Sequence, residues 1–249
     1  MNRDLLRLYA ITDRHCLKTL SPVGAEKSVS GAEERPTGMT AGELHDVSSL
    51  QADGEAEALA TAVEQAILGG ATMVQFREKE LTGARLEQDA RAVQAVCRKH
   101  GVPFIMNNDV ALAQKLDADG VHVGQSDMPA AEARRLLGPA KIIGVTARTV
   151  EEAQAAEAAG ADYLGSGAVF GTSTKHDAKT MPLETFRAIT ASVQIPVVAI
   201  GGISVANAGG LKSHGAAGIA VVSSLFGAAD ITEAAQALRA IADEVVADR

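Results

Sequence analysis

Six side chains stand out in this 249-residue chain by type and spacing: Gln75, Arg77 and Lys79 in one short run, Asp109, Asp127 and Lys175 further on. Asp109 and Asp127 follow successive apolar runs. If those runs are neighbouring strands, their backbones lie about 5 Å apart, and two like charges that close need a cation or a proton between them. Hard oxygen ligands with no His or Cys cluster suit Mg²⁺, which commonly takes one or two carboxylates plus substrate phosphate oxygens. The other reading is helix capping: Asp109 precedes a helical run, and Asp127 stands just before Met128-Pro129 and another. Arg77, Lys79 and Lys175 beside such an ion describe a pyrophosphate site, or else a salt-bridge network along a rim. His122, inside GVHVG, reads as a strand residue with a satisfied ring. His176 follows Lys175 on the same loop, and no Ser/His/Asp arrangement can be assembled.

The elements that must position these groups follow from periodicity. In a strand, residues two apart share a face, so VQFREK sends Gln75 and Arg77 the same way, with Lys79 continuing the row. Such a row is costly in a core unless it meets water or a ligand. Candidate strands lie at 7–12, 72–77, 103–108, 120–124, 141–146, 161–166, 196–201 and 218–223. Ala-rich helical runs separate them, several ending in glycine, and Thr149 to Glu152 has capping-box spacing. Eight βα units in this length predict a single-domain (β/α)₈ TIM barrel over residues 1–249. An open doubly wound sheet would bring a glycine-rich first turn, and no GxGxxG follows the first strand.

In a barrel the functional face lies at the C-terminal strand ends. There stand Thr12-Asp13-Arg14, Gln75 to Lys79, Asn107-Asn108-Asp109, Gln125-Ser126-Asp127, Thr146, Thr172-Ser173-Thr174-Lys175, Gly201-Gly202 and Val222-Ser223-Ser224. The loops after strands seven and eight, AIGGIS and AVVSSLFG, match the usual phosphate-binding place in such barrels, where glycine lets backbone N–H groups approach an anion. The hydroxyls of Thr172, Ser173 and Thr174 could serve the same group.

Composition narrows the class. A net charge of −8 and a pI near 5.3 argue against a nucleic-acid binder. Cys16 and Cys97 have no metal or redox spacing, no apolar run reaches membrane-spanning length, and no secretory leader is visible. A cytoplasmic protein acting on small molecules is expected, with no nucleic-acid or membrane partner and with a homo-oligomer allowed. Residues 18–55, rich in Ser, Gly, Glu and Thr, read as a low-complexity insertion or long mobile loop after the first strand.

In order along the chain, YAITDR, VQFREK, NND, GVHVGQSD, GVTAR, TSTK, AIGGIS and AVVS closely resemble the thiamine-phosphate synthase (thiamine-phosphate pyrophosphorylase) family, over nearly the whole chain outside 18–55. The resemblance implies a (β/α)₈ barrel, a requirement for Mg²⁺, and a transferase in thiamine biosynthesis. Its reaction joins 4-amino-2-methyl-5-hydroxymethylpyrimidine pyrophosphate to 4-methyl-5-(2-hydroxyethyl)thiazole phosphate, giving thiamine phosphate and pyrophosphate. It further implies that Gln75, Arg77, Lys79 and Asn108 hold the pyrimidine substrate. Asp109 and Asp127 would carry one Mg²⁺, while Thr146, where the family commonly has Ser, and Lys175 would reach the pyrophosphate. Thr172, Ser173, Thr174, Gly202, Val222 and Ser223 would hold the thiazole phosphate. Arg77, Thr146 and Lys175 are the residues expected to act on the leaving group. Two rivals remain: a thiazole tautomerase of the same family, which need not bind pyrophosphate, and a non-catalytic binder of either substrate. The set Gln75, Arg77, Lys79, Asp109, Asp127 and Lys175 favours the synthase.

Overall fold

Short Val-, Ile- and Leu-rich runs form strands when both faces can be buried, and eight of them do so here. They are β1 (Leu8–Ile11), β2 (Met73–Phe76), β3 (Phe104–Asn107), β4 (Gly120–Val123), β5 (Ile142–Thr146), β6 (Tyr163–Gly167), β7 (Val197–Ile200) and β8 (Ile219–Val221). All pair in parallel, in chain order, and β8 returns to β1 to close the ring. The computed structural model describes residues 1–17, 41–171 and 180–247, with the backbone alone over 41–53. Among these residues the helices are α1 (Arg14–Leu17), α2 (Ala41–Leu68), α3 (Gly83–His100), α4 (Val110–Lys115), α5 (Ala130–Leu137), α6 (Val150–Ala158), α7 (Leu183–Ser192), α8 (Val205–Ala208), α9 (Ser223–Phe226) and α10 (Ile231–Ala247). The eight strands and the closed barrel are those expected. None of these helices is long and apolar enough to cross a membrane.

The two faces of each strand do different work. Outward-facing Leu8, Val74, Phe76, Phe104, Met106, Ile143 and Leu164 pack against Leu59, Val63, Ala90, Val93, Phe186 and Leu238 of the helical layer. Inward-facing Tyr9, Met73, Ile105, Tyr163, Val198 and Ala220 fill the lower part of the barrel. Continuing up the inner faces, the next residues are polar or glycine: Gln75, Asn107, His122, Thr146, Gly165 and Gly167 border an open cavity. The apolar plug thus sets the floor, and the site occupies what lies above it.

Two local expectations are modified. Helix α2 reaches back to Ala41, into the stretch read as loop, and residues 18–40 lie outside the described residues. Once residues 55–68 are held on the barrel, adding residues to an existing helix avoids the cost of nucleation, so no apolar stripe is needed upstream and none is visible in the sequence. At α6 the capping box is shared between two amides. The Thr149 hydroxyl accepts from Glu152 N, while the Glu152 carboxylate accepts from Arg148 N.

Candidate active site

Arg77 follows the last residue of β2 and is 8% exposed. The buried Thr12 hydroxyl fixes its backbone, accepting from Arg77 N at 2.9 Å and donating to Arg77 O at 3.2 Å. One guanidinium nitrogen, Nη1, donates to Asp13 Oδ2 at 2.8 Å. The other, Nη2, is buried and has no hydrogen-bond partner among the described residues. An unsatisfied buried donor costs about 1–3 kcal/mol, and more when charged; an anion oxygen in the adjoining cavity would satisfy it.

The next residue holds the loop. Glu78 Oε1 accepts from the backbone N–H groups of Lys79 and Glu80, and its Oε2 accepts from Arg14 Nε at 2.5 Å. Burial works to raise the Glu78 pKa, but the Glu80 amide, the Arg14 guanidinium and the Lys79 amide together hold it below the usual carboxylate value. Arg14 also pairs with Asp89 of α3 and with Glu55 of α2. Lys79 is exposed and lines the cavity with Gln75, Arg77 and Glu78.

Of the two candidate metal carboxylates, one caps a helix and the other closes the turn after β4, since α5 is capped at Pro129 with no side-chain bond. Asp109 is the N-cap of α4, its Oδ1 accepting from Leu112 N at 2.8 Å. Asp127 Oδ2 accepts from Gly124 N at 2.7 Å. Neither bond uses the second carboxylate oxygen. Asp127 borders the main cavity, and Asp109 borders a smaller neighbouring one; Asn107 and Asn108 line both. Among the described residues no group of three or more His, Cys, Asp or Glu side chains could by itself hold a metal. Two hard carboxylates beside a place for phosphate fit Mg²⁺, an ion that keeps most of its shell for water and substrate oxygens. Asn108 makes the turn between β3 and α4 at a φ of +63°, a conformation Asn tolerates.

The loops after β7 and β8 form the opposite wall. Gly202 has a φ of +64°, and a Cβ there would come within 2.3 Å of Gly171 O, so only glycine lets the β7 loop close on the segment that follows β6. Beyond β8, Ser223 and Ser224 open α9; their amides belong to its first turn, ahead of the first intrahelical donors. The Ser224 hydroxyl is buried without a hydrogen-bond partner among the described residues. Gly202, Val222, Ser223 and Ser224 all line the main cavity, whose volume is about 610 Å³.

The structure therefore gathers Gln75, Arg77, Lys79, Asn108, Asp127, Thr146, Gly202, Val222 and Ser223 on one mouth, with Asp109 at its edge. Thr172, Ser173, Thr174 and Lys175 lie outside the described residues. Reading the sequence gave no role to Asp13, Glu78 or Ser224. The alternation Tyr9, Ile11, Asp13 on the strand beside Gln75 and Arg77 was the available signal for Asp13. His122 does have a satisfied ring, as expected, but it faces the cavity.

Fold and site together define a (β/α)₈-barrel protein whose working face is the rim at the carboxyl ends of its strands. Within that class the chain belongs to the thiamine monophosphate synthase family, whose model, TMP-TENI, matches residues 46–225. It is 49% identical over 180 residues to the thiamine-phosphate synthase of Moorella thermoacetica, covering 72% of this chain and 86% of the relative. It is 51% identical over 180 residues to the thiamine-phosphate synthase of Chloroflexus aurantiacus, covering 72% and 83%. The solved structure of thiamine phosphate pyrophosphorylase from Pyrococcus furiosus superposes with a TM-score of 0.76 at 36% identity, covering 98% of this chain and 99% of that one.

Proposed function

We propose that this chain is a cytoplasmic thiamine-phosphate synthase, coupling 4-amino-2-methyl-5-hydroxymethylpyrimidine pyrophosphate to 4-methyl-5-(2-hydroxyethyl)thiazole phosphate. The observation that carries the reading is Arg77: in a barrel of this family, a buried guanidinium pairs with Asp13 through one nitrogen and leaves Nη2 without a partner at the mouth.

The chemistry needs no protein nucleophile. The C–O bond between the pyrimidine CH₂ and the pyrophosphate breaks, its electron pair leaving with the pyrophosphate. The thiazole nitrogen lone pair then closes the new C–N bond, and the pyrimidine amino group feeds electron density to the CH₂ carbon in between. Gln75 and Asn108 hold the pyrimidine end. Arg77, Lys79 and Lys175 meet the negative charge as it builds on the leaving group, where preorganised donors count most. Thr146 adds a hydroxyl to the same group. Asp109 and Asp127 would hold one Mg²⁺, which would supply charge neutralisation for the pyrophosphate. Thr172, Ser173 and Thr174, with the backbone at Gly202, Val222 and Ser223, hold the thiazole phosphate. Two anchored anions place the reacting atoms together and remove the cost of a bimolecular encounter.

The test is pyrophosphate release on mixing the protein with both substrates and Mg²⁺. Release that needs both substrates and the metal is expected; binding of both without release overturns the reading. Lys175→Ala is expected to slow release about 10²-fold or more, the scale of losing one transition-state donor. Asp109→Asn is expected to raise the Mg²⁺ concentration needed for half-maximal rate; an unchanged metal titration would return Asp109 to capping alone.

A further inference from the structure

Below the mouth, side chains from five strands are joined end to end across the barrel. Gln75 Nε2, on β2, donates to Tyr9 Oη, on β1, at 2.7 Å. Tyr9 Oη lies 2.7 Å from Tyr163 Oη, on β6. Tyr163 Oη lies 3.0 Å from His122 Nδ1, on β4, and His122 Nε2 lies 3.0 Å from Thr146 Oγ1, on β5.

The backbone is shaped around this chain. His122 and Tyr163 are both in register with Gly144 of β5, on its two sides, so their bond passes directly over that residue. A Cβ at Gly144 would lie 2.2 Å from Tyr163 Cζ and 2.5 Å from His122 Nδ1, and one at Gly165 would lie 3.0 Å from His122 Cε1. No side chain other than hydrogen fits at 144 while the contact stands.

Proton counting gives the chain a direction. Burial raises the pKa of both phenols, Tyr163 well above its ordinary value, so each keeps its one proton. With the Gln75 amide nitrogen donating to Tyr9, the Tyr9 proton has Tyr163 Oη as its acceptor among the described residues. The Tyr163 proton in turn goes to His122 Nδ1, which must then be an acceptor. The ring is therefore neutral with its hydrogen on Nε2, and that hydrogen goes to Thr146 Oγ1. The Thr146 hydroxyl hydrogen is left to point into the cavity that Thr146 lines.

We propose that Gln75, Tyr9, Tyr163 and His122 form a buried orienting relay that fixes His122 as the Nε2–H tautomer and makes the Thr146 hydroxyl a donor to a phosphate oxygen in the mouth. His122 and Tyr163 are positioning residues. The identity of the oxygen rests on the proposed function; the relay does not.

The experiment is ¹⁵N NMR of the full-length protein with labelled histidine, alongside steady-state kinetics. The wild-type ring of His122 is expected to be protonated at Nε2 and bare at Nδ1. In Tyr163→Phe the ring is expected to populate both tautomers, with kcat down about tenfold, less than for loss of a transition-state donor itself. His122→Gln, whose amide can still donate to Thr146, is expected to retain more activity than His122→Leu. A wild-type ring protonated at Nδ1, or a tautomer indifferent to Tyr163→Phe, overturns the relay whatever the turnover. Wild-type turnover in Thr146→Val with the Nε2–H ring intact overturns the donor role of Thr146, and with it that residue's place in the proposed reaction.

Discussion

Arg77 is bound on one side and open on the other, and the two sides separate under substitution. Arg77→Ala removes the cation that faces buried Asp13, and an uncompensated buried charge costs about 3–5 kcal/mol, so both stability and turnover are expected to fall. Arg77→Lys keeps a charge near Asp13 and loses the planar fork. Its urea midpoint is expected to stay closer to wild type, while KM for the pyrophosphate-bearing substrate rises about tenfold, the worth of one hydrogen bond to a charged group. Ser224 offers the reverse case. Its hydroxyl is buried and unpartnered among the described residues, so Ser224→Ala is expected to leave the melting temperature unchanged or higher and to weaken thiazole phosphate binding. A fall in both would show that the hydroxyl already has a partner in the free protein. At this scale the sequence showed the row Gln75, Arg77, Lys79 through its alternation. It could not show Asp13 as the partner of Arg77, because the two are 64 positions apart and meet only when β1 and β2 pair. For Asp109 and Asp127 it left capping and metal binding open; Asp109 caps α4, whereas Asp127 caps no helix and accepts from Gly124 N in the turn after β4.

The loop after β2 is held by Glu78, and Glu78 by Arg14, which also compensates the fully buried Asp89 of α3. Arg14→Met leaves Asp89 paired, among the described residues, with Arg85 alone, at 3.2 Å, and is expected to cost less in urea unfolding than the about 3–5 kcal/mol of a wholly uncompensated buried charge. The depressed Glu78 pKa links this unit to pH. A carboxylate with a lowered folded pKa contributes stability above its unfolded value, about 4.3, and loses it as pH falls through the folded value. Glu78→Gln is therefore expected to be less stable than wild type at pH 7, with the gap narrowing below about pH 4. A gap constant with pH would mean that the charge of Glu78 contributes nothing. Element types were legible because both faces of each strand are buried and the helices carry apolar stripes; α7, opened by Pro182, was not singled out. The start of α2 was not legible, since residues 41–54 carry no stripe that would mark a helix.

Counting eight βα units was enough to expect a ring, but no local pattern states which strands meet where it closes. That contact is β1 with β8, Leu8 opposite Ile219 and Ala10 opposite Val221. Neither strand has a substitute partner. A chain ended after Ala216 would expose one flank of β7 and one of β1, two rows of unpaired N–H and C=O groups that recruit other chains. Such a truncation is expected to emerge from size exclusion as large aggregates; a well-behaved monomer would mean that seven strands can seal themselves. The intact protein passes through the same state during its own synthesis. β1 is the first of the eight strands to leave the ribosome, and one of its flanks stays bare until β8 has emerged, an interval in which chaperones have a defined strand to shield.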